Sequence, residues 1–369
     1  MKALSRRQML ALMFVAMLSP FLRLIPRQVA LFAGRAAWTA PFLAFVPLLL
    51  LAAALEKILK AAPKHGLGEA SCQILGGGLG KAVLVIWSVW LCFHGGFILR
   101  SGADRFIGTI FPDSSAWIFV GVMALLVLIA GLGSVKTLAR SAEIFRPLMV
   151  VVLVAVLLIA LPEVHWEYQL PVMPAELGPS ALGGLMMADT VCIVLVLAAF
   201  LAGYESSDTP RLRSFGKFLA VSCLLAAAIC AVVVGICGAS LTTQLSHPFF
   251  SMVRDLTIFH AVQRFEALVV GLWVLPDFVL VTMELLIAAD NLMLVFGGEK
   301  IEHGGLSWRS GNKFIWLGVL VAVVTAVCIA RTADQLALWA FTLVPVVNLT
   351  LCFGYPAVLF AVGKARKRI

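Results

Sequence analysis

Residues 219–237 read LAVSCLLAAAICAVVVGIC. Nineteen positions pass without a charged side chain, and the only hydroxyl is that of Ser222. At about 1.5 Å of rise per residue, a helix of this length spans about 30 Å, the thickness of a bilayer's hydrocarbon core. The run Val150–Leu161 has the same character, and similar stretches recur along all 369 residues. Hydrophobic residues make up 62% of the chain and charged ones 13%, about half the roughly 25% of a soluble domain. Such a composition cannot cover a core with polar surface. It excludes a soluble enzyme, a disordered chain and a disulfide scaffold. It also speaks against an outer-membrane barrel, whose strands alternate apolar and polar residues. The class left is an all-α polytopic membrane protein.

Windows of roughly 20 apolar residues give ten transmembrane helices, at about 8–33, 38–60, 81–101, 116–134, 147–161, 180–203, 217–241, 266–296, 314–330 and 335–362. No soluble domain fits between them, so residues 1–369 are expected to form one transmembrane domain. With the N-terminus in the cytoplasm, twenty of the 28 basic residues fall on the inner side, seven on the outer side, and Arg23 within a span. This is the asymmetry of the positive-inside rule, and an even span count puts both termini inside. The net charge of +9 is accounted for by topology and by attraction to the anionic surface of the lipid bilayer, and needs no nucleic acid. Lys2, Arg6 and Arg7 precede an apolar run, as in a signal peptide. Pro20 and Arg23 interrupt that run, so it reads as the first membrane helix. Cys223, Cys230 and Cys237 repeat every seven residues, as small residues at a helix–helix seam do.

Ten spans divide into two sets of five, and an odd number per half inverts one half relative to the other. This inverted repeat would place its halves at about 1–161 and 180–362, a common design in secondary transporters. Such folds break the first helix of each half near the midplane and bind substrate there. Ser19-Pro20-Phe21 near the middle of the first span fits that expectation, since proline removes a donor and crowds the preceding turn; Pro26 adds a second interruption. In the sixth span the polar step is Asp189-Thr190, with Gly183-Gly184 a turn and a half earlier.

Ionisable groups inside a membrane are costly, usually paired and commonly functional. Here they are Arg23, His94, Asp189, Asp277, Glu284 and Asp290. Arg23 and Asp189 occupy corresponding regions of the two halves. They could pair across the midplane, or bind the carboxylate and ammonium of a zwitterion separately. Asp277 and Glu284 are seven apart and share a helix face, which suggests ion or proton coupling. Asp290 falls at the cytoplasmic end. Trp87, Trp90 and His94 share a face of the third span, where packing is the stronger reading and ligand stacking the weaker. Asn348 reads as an interhelical hydrogen-bonding residue. No Walker loop, nucleotide fingerprint or metal-spaced cluster occurs, so neither enzyme, cofactor nor metal is expected. Gly76-Gly77-Gly78 and His303-Gly304-Gly305 read as cytoplasmic loops.

Three stretches carry a resemblance. The first is Ser5-Arg6-Arg7-Gln8 with Leu24-Ile25-Pro26-Arg27 and Gly34-Arg35-Ala36-Ala37-Trp38. The second runs from Gly131 to Pro147, GLGSVKTLARSAEIFRP. The third runs from His247 to Arg254, HPFFSMVR, followed by Gln263-Arg264-Phe265-Glu266-Ala267-Leu268 and Leu272-Trp273-Val274. In this order they resemble the B-subunit permeases of bacterial spore germinant receptors, over essentially the whole chain. That family looks like a branch of the amino-acid/polyamine/organocation transporters. The resemblance implies a LeuT-like 5+5 fold and a site for an amino acid or similar small nutrient in the spore inner membrane. It also implies partnership with an A subunit and a lipoprotein C subunit. The chain departs from the family pattern at two places. Ser19-Pro20-Phe21 stands where a Gly-x-Gly break is usual, and the usual Gly-x-Glu of the sixth span is replaced near Ile193-Val194-Leu195, with Gly203-Tyr204-Glu205 the nearest local match. The expected substrate-binding residues are Ser19, Pro20, Phe21, Arg23, His94, Asp189 and Thr190, with Asp277 and Glu284 for coupling. A proton-coupled amino-acid permease and a ligandless scaffold are the other readings.

Overall fold

Helix α1 (Arg6–Ala33) starts on a reciprocal cap. Ser5 Oγ accepts from the Gln8 amide at 3.2 Å, and Gln8 Oε1 accepts from the Ser5 amide at 3.0 Å, so two of the donors that a helix start leaves free are satisfied. Gln8 and Arg7 also reach Glu143 on a later helix, at 3.2 and 3.7 Å. The first and second of the stretches quoted above therefore meet at one end of the molecule.

The structure is a computed structural model that describes residues 4–62, 66–170, 172–204, 211–255, 265–296, 312–329 and 332–366. Among these residues the regular elements are helices, and there is no β-strand. After α1 come α2 (Ala40–Ala61), α3 (Leu67–Leu75), α4 (Gly77–Thr109), α5 (Ala116–Gly131), α6 (Val135–Ala160), α7 (Leu177–Phe200) and α8 (Arg211–Gln244). The remainder comprises α9 (Pro248–Asp255), α10 (Phe265–Leu272), α11 (Val274–Phe296), α12 (Asn312–Cys328), α13 (Ala333–Phe341), α14 (Leu343–Leu349) and α15 (Tyr355–Ala365). Seven helical segments among the described residues are long and apolar enough to cross a membrane. The first of them, Arg6–Ala61, holds both α1 and α2 around a 3-10 turn at Gly34–Thr39; α5 and α12 are shorter apolar helices. This is a multi-pass membrane protein.

Its outward surface fits that solvent. On α6, Ile144, Val151 and Leu158 form a stripe of seven-residue spacing and are 71, 65 and 63% exposed. In water such a face would be a liability; against lipid it costs nothing. The interior is organised on α1, which packs against α6, α7, α8 and α11. Arg35 on the turn after α1 pairs with Glu176 at 2.6 Å, just before α7 begins.

Several elements differ from the sequence reading. α1 runs unbroken through Ser19-Pro20-Phe21 and Pro26. Each proline costs one backbone hydrogen bond, but all three residues of the first step are fully buried, and helices on every side hold the geometry in place. α7 is likewise continuous through Asp189-Thr190. Gly183 and Gly184 bring it close to the backbone at Val29 and Ala40. The eighth span is instead two helices, α10 and α11, parted at Trp273. Pro276 lacks the N–H that would bond to Leu272, which accounts for the break. The tenth span is divided into α13, α14, a π-helical turn at Thr350–Gly354 and α15. Pro345 and Pro356 impose these interruptions in the same way. Gly76 is a left-handed junction between α3 and α4, with φ of 93°, and Gly77-Gly78 already belong to α4. Glu205, Gln263, Arg264, His303-Gly304-Gly305, and Lys2, Lys64, Lys300, Arg309, Arg331, Lys367 and Arg368 of the charge count lie outside the described residues.

Candidate functional site

α4 is 33 residues long, well beyond the expected 81–101. It runs antiparallel to α11, and the two meet along a seam of seven-residue spacing. Ser88 Oγ donates to the Ala288 carbonyl at 3.1 Å. A Cβ at Gly95 would lie 3.4 Å from Glu284 Oε2, and one at Gly102 would lie 3.2 Å from Asp277 Oδ2. Each glycine thus opens room for one carboxyl group of the facing helix.

Those carboxyls are engaged. Glu284 Oε1 is 2.6 Å from His94 Nδ1. Arg105 donates from Nη2 to Asp277 Oδ2 at 2.6 Å, and Ser19 donates to Asp277 Oδ1. The sequence reading named no partner for either carboxyl. Arg105, which lies beyond the expected third span of 81–101, is fully buried. The signal was present in the sequence, since Arg105 follows His94 by eleven residues, three helical turns along one face. Pairing with Asp277 is what lets a guanidinium sit this deep.

Arg23 and Asp189 do not pair. The charged neighbours of Arg23 are Asp277, Arg105, Asp104 and Glu284, whereas Asp189 neighbours Asn348 and His94. The two residues belong to adjoining parts of one polar interior, with His94 and Glu284 paired between their surroundings. Both are 1% exposed. Arg23 Nε, Nη1 and Nη2, Asp189 Oδ1, Thr190 Oγ1 and Glu284 Oε2 are buried without a hydrogen-bond partner. The Phe97 ring lies 5.8 Å from the Arg23 guanidinium carbon. Pro20 and Phe21 are packed within α1 and present no unwound backbone.

Asn348 accepts from Trp90 Nε1 at 2.8 Å, the interhelical role expected of it. Trp87 packs against Phe200 and Tyr355 with ring centroids 5.5 and 5.7 Å away, so this aromatic face serves mainly as packing, although Trp87 Nε1 has no partner. Asp290, at the far end of α11, accepts from the Tyr204 hydroxyl at 2.6 Å. Cys223 and Cys230 are buried in the α8 seam as free thiols.

Above Arg23 lies a narrow cleft of about 30 Å3. Its walls include Arg27, Ser101, Asp104, His247 and Phe341, and Arg23 forms part of its lining. His247 Nε2 stands 3.7 Å from Asp104 Oδ2. Arg27 and His247 belong to the stretches that carry the family resemblance, whereas Ser101, Asp104 and Phe341 did not stand out in the sequence; the sequence could not bring them together, because they come from four separate segments.

The centre is thus a buried polar junction of α1, α4, α7, α11 and α14 within an all-helical membrane bundle. This arrangement is that of a multi-pass membrane protein with a polar interior. Among solved structures, the chain is similar to Mhp1, a nucleobase-cation-symport-1 family transporter in a closed conformation with bromovinylhydantoin bound. The two are 12% identical, the match covers 97% of this chain and 78% of that one, and the TM-score is 0.57. The likeness shows a shared fold. A comparison with curated proteins finds no match. The chain belongs to the spore germination protein family, whose match runs over residues 3–335. Family and fold are those of membrane permeases, not of enzymes.

Proposed function

We propose that this chain is the permease-like B subunit of a nutrient germinant receptor, and that it binds an amino acid or similar small nutrient in the spore inner membrane. The observation that carries this reading is the junction of α1, α4, α7, α11 and α14, where Arg23, Asp189 and Thr190 are fully buried with polar atoms unpartnered. Burying such groups costs free energy unless a partner arrives, and membership of the spore germination family supplies the context. In this reading Arg23, Asp189 and Thr190 face the ligand. Ser19 holds Asp277, while Pro20 and Phe21 shape the adjoining turn of α1. The partners are an A subunit and a lipoprotein C subunit. The chain is one transmembrane domain of ten spans, with α10 and α11 together forming one and α13 to α15 another. Its inverted halves lie at about 1–161 and 180–362, and both termini are cytoplasmic. The central packing of α1 against α7, the first helices of the two halves, supports that arrangement.

A second reading, a proton-coupled amino-acid permease, is favoured by the buried His94–Glu284 pair, whose groups can exchange a proton with a bound ligand. The two part on one experiment. The purified chain in proteoliposomes is assayed for amino-acid uptake with and without a pH gradient, and spores carrying Asp189→Asn are assayed for nutrient-triggered germination. Binding without uptake, together with a germination defect in Asp189→Asn spores that still assemble the protein, supports the receptor. Gradient-driven uptake supports the permease. Wild-type germination of the Asp189→Asn spores removes Asp189 from the site.

A further inference from the structure

Leu99, Ala103 and Phe106 stand three or four residues apart, so they share one face of α4. Ile118, Val122 and Leu126 repeat the pattern on α5. Between these faces lies a cavity of about 220 Å3, whose lining is completed by Val274 and Asp277 of α11. The cleft above Arg23 is far smaller. The space exists because Gly102 and Ala103 put almost no side chain where longer residues would meet α5. Gly102 has no freedom to be larger, since its Cβ would lie 3.2 Å from Asp277 Oδ2. The rings of Phe106 and Phe119, both in the lining, stack 5.0 Å apart and join the two helices at one end of the cavity.

The lining decides what such a space takes. Asp277 is its one polar side chain, and both carboxylate oxygens already accept, one from Ser19 and the other from Arg105. A buried water needs about two to four polar partners, and an apolar cavity of roughly 150 Å3 stays dry and takes benzene instead. A sugar, a nucleoside or a zwitterion would leave polar groups unsatisfied here. The fitting occupant is hydrocarbon, and the walls say where it comes from. Leu99 and Ala103 on the inner wall are 3 and 2% exposed, whereas Ile118, Val122 and Leu126 on the outer wall are 62, 55 and 44% exposed. That outer wall continues into Trp117, Leu125 and Ile129, which are also exposed, so the cavity borders the surface that a multi-pass protein turns to lipid. A chain entering from there exchanges one hydrocarbon environment for another and gains the dispersion contacts that an empty void forfeits. We infer that the cavity between α4, α5 and α11 is a lipid site, in which an acyl chain of a bilayer phospholipid packs on Leu99 and Ala103 and keeps water from Asp277. The site is distinct from the polar junction, and it stands whether the chain is a receptor subunit or a permease.

The test uses the full-length chain in phosphatidylglycerol nanodiscs that contain a phosphatidylglycerol with a diazirine near the end of one acyl chain. After photolysis, proteolysis and mass spectrometry locate the modified residues. Bulk lipid reaches Ile144, Val151 and Leu158 of α6, which are exposed, and these serve as the reference. Modification of buried Leu99 and Ala103 is expected as well, because a chain can touch them only from within the cavity. Ala103→Phe fills the space from α4 and Val122→Trp fills it from α5. Either is expected to lower modification of Leu99 by at least about tenfold, a factor that the lost burial of about two methylenes already supplies. The α6 reference is expected to stay unchanged, and the unfolding temperature to hold or rise. Val122 is exposed, so its variant carries the test if Ala103→Phe fails to fold. Modification confined to Ile118, Val122 and Leu126, with Leu99 and Ala103 untouched, overturns the inference. So does modification of Leu99 that persists in the filled variants, or that a headgroup-borne diazirine produces equally well. A free diazirine-bearing alkane that modifies Leu99 where the phospholipid probe does not would identify a dissolved apolar solute as the occupant and overturn the lipid assignment.

Discussion

Arg105 and Arg23 show how differently two buried guanidiniums can be placed. Arg105 spends its charge on Asp277, whose second oxygen takes Ser19. Arg23, a short way across the same interior, has no protein acceptor. Removing Arg105 alone leaves Asp277 buried with the Ser19 hydroxyl as its one hydrogen-bond donor among those described, and breaking a buried pair in this way costs about 3–5 kcal/mol. Arg105→Leu is accordingly expected to lower the unfolding temperature in detergent, and Arg105→Leu combined with Asp277→Asn to recover most of the loss. A double variant no more stable than the single one would show that the pair is not the source. The sequence marked Arg23, Asp189, Asp277 and Glu284 because each interrupts an apolar run. It did not mark Arg105, since a ruler of roughly 20 residues ended the third span before reaching it. Nor could it assign partners. His94 meets Glu284 across 190 positions of sequence, and the spacing of residues along one helix says nothing about the face of another.

At the level of elements, the α4–α11 and α4–α12 contacts depend on the absence of side chains. A Cβ at Gly96 would lie 2.4 Å from the Ala322 carbonyl oxygen and 2.6 Å from Thr325 Cβ, so α12 would have to move away. Gly96→Ala is expected to destabilise by about 1–3 kcal/mol, as overpacking does, and to lower the fraction recovered as a monodisperse species after extraction. Gly121→Ala on α5, where nothing lies within 4 Å, is expected to change stability by no more than about 1 kcal/mol. Equal effects at the two glycines would mean that close approach is not what Gly96 provides. The long apolar helices were legible from the apolar runs, whereas α3 and α9, which lie between the expected spans, were not. Nor was helix continuity. Proline predicts a lost hydrogen bond with confidence, yet α1 absorbs two prolines without unwinding, whereas α11 and α14 begin at theirs. Both α1 and α11 are enclosed by neighbouring helices, and the local sequence does not record which proline a helix absorbs.

For the whole molecule, the basic residues and the fold make one topological prediction. In a cysteine-free background, Ser5→Cys and Lys364→Cys are expected to react with an impermeant maleimide only after the membrane is opened, and Glu167→Cys to react from outside without it. Labelling of Ser5→Cys and Lys364→Cys from opposite faces would mean an odd number of crossings. The membrane class of the protein follows from sequence alone, because 62% hydrophobic residues in long uncharged runs leave no other solvent for the surface. The residues that break this rule were legible too, since a charge in an apolar run is conspicuous whatever the fold. Tertiary structure alone decided which charges neutralise each other, that α1 stays helical, and that Arg23, Asp104 and His247 line one cleft. These are relations between segments far apart in the chain. Burial sets their energies, and burial is a property of the assembled bundle, not of any one helix.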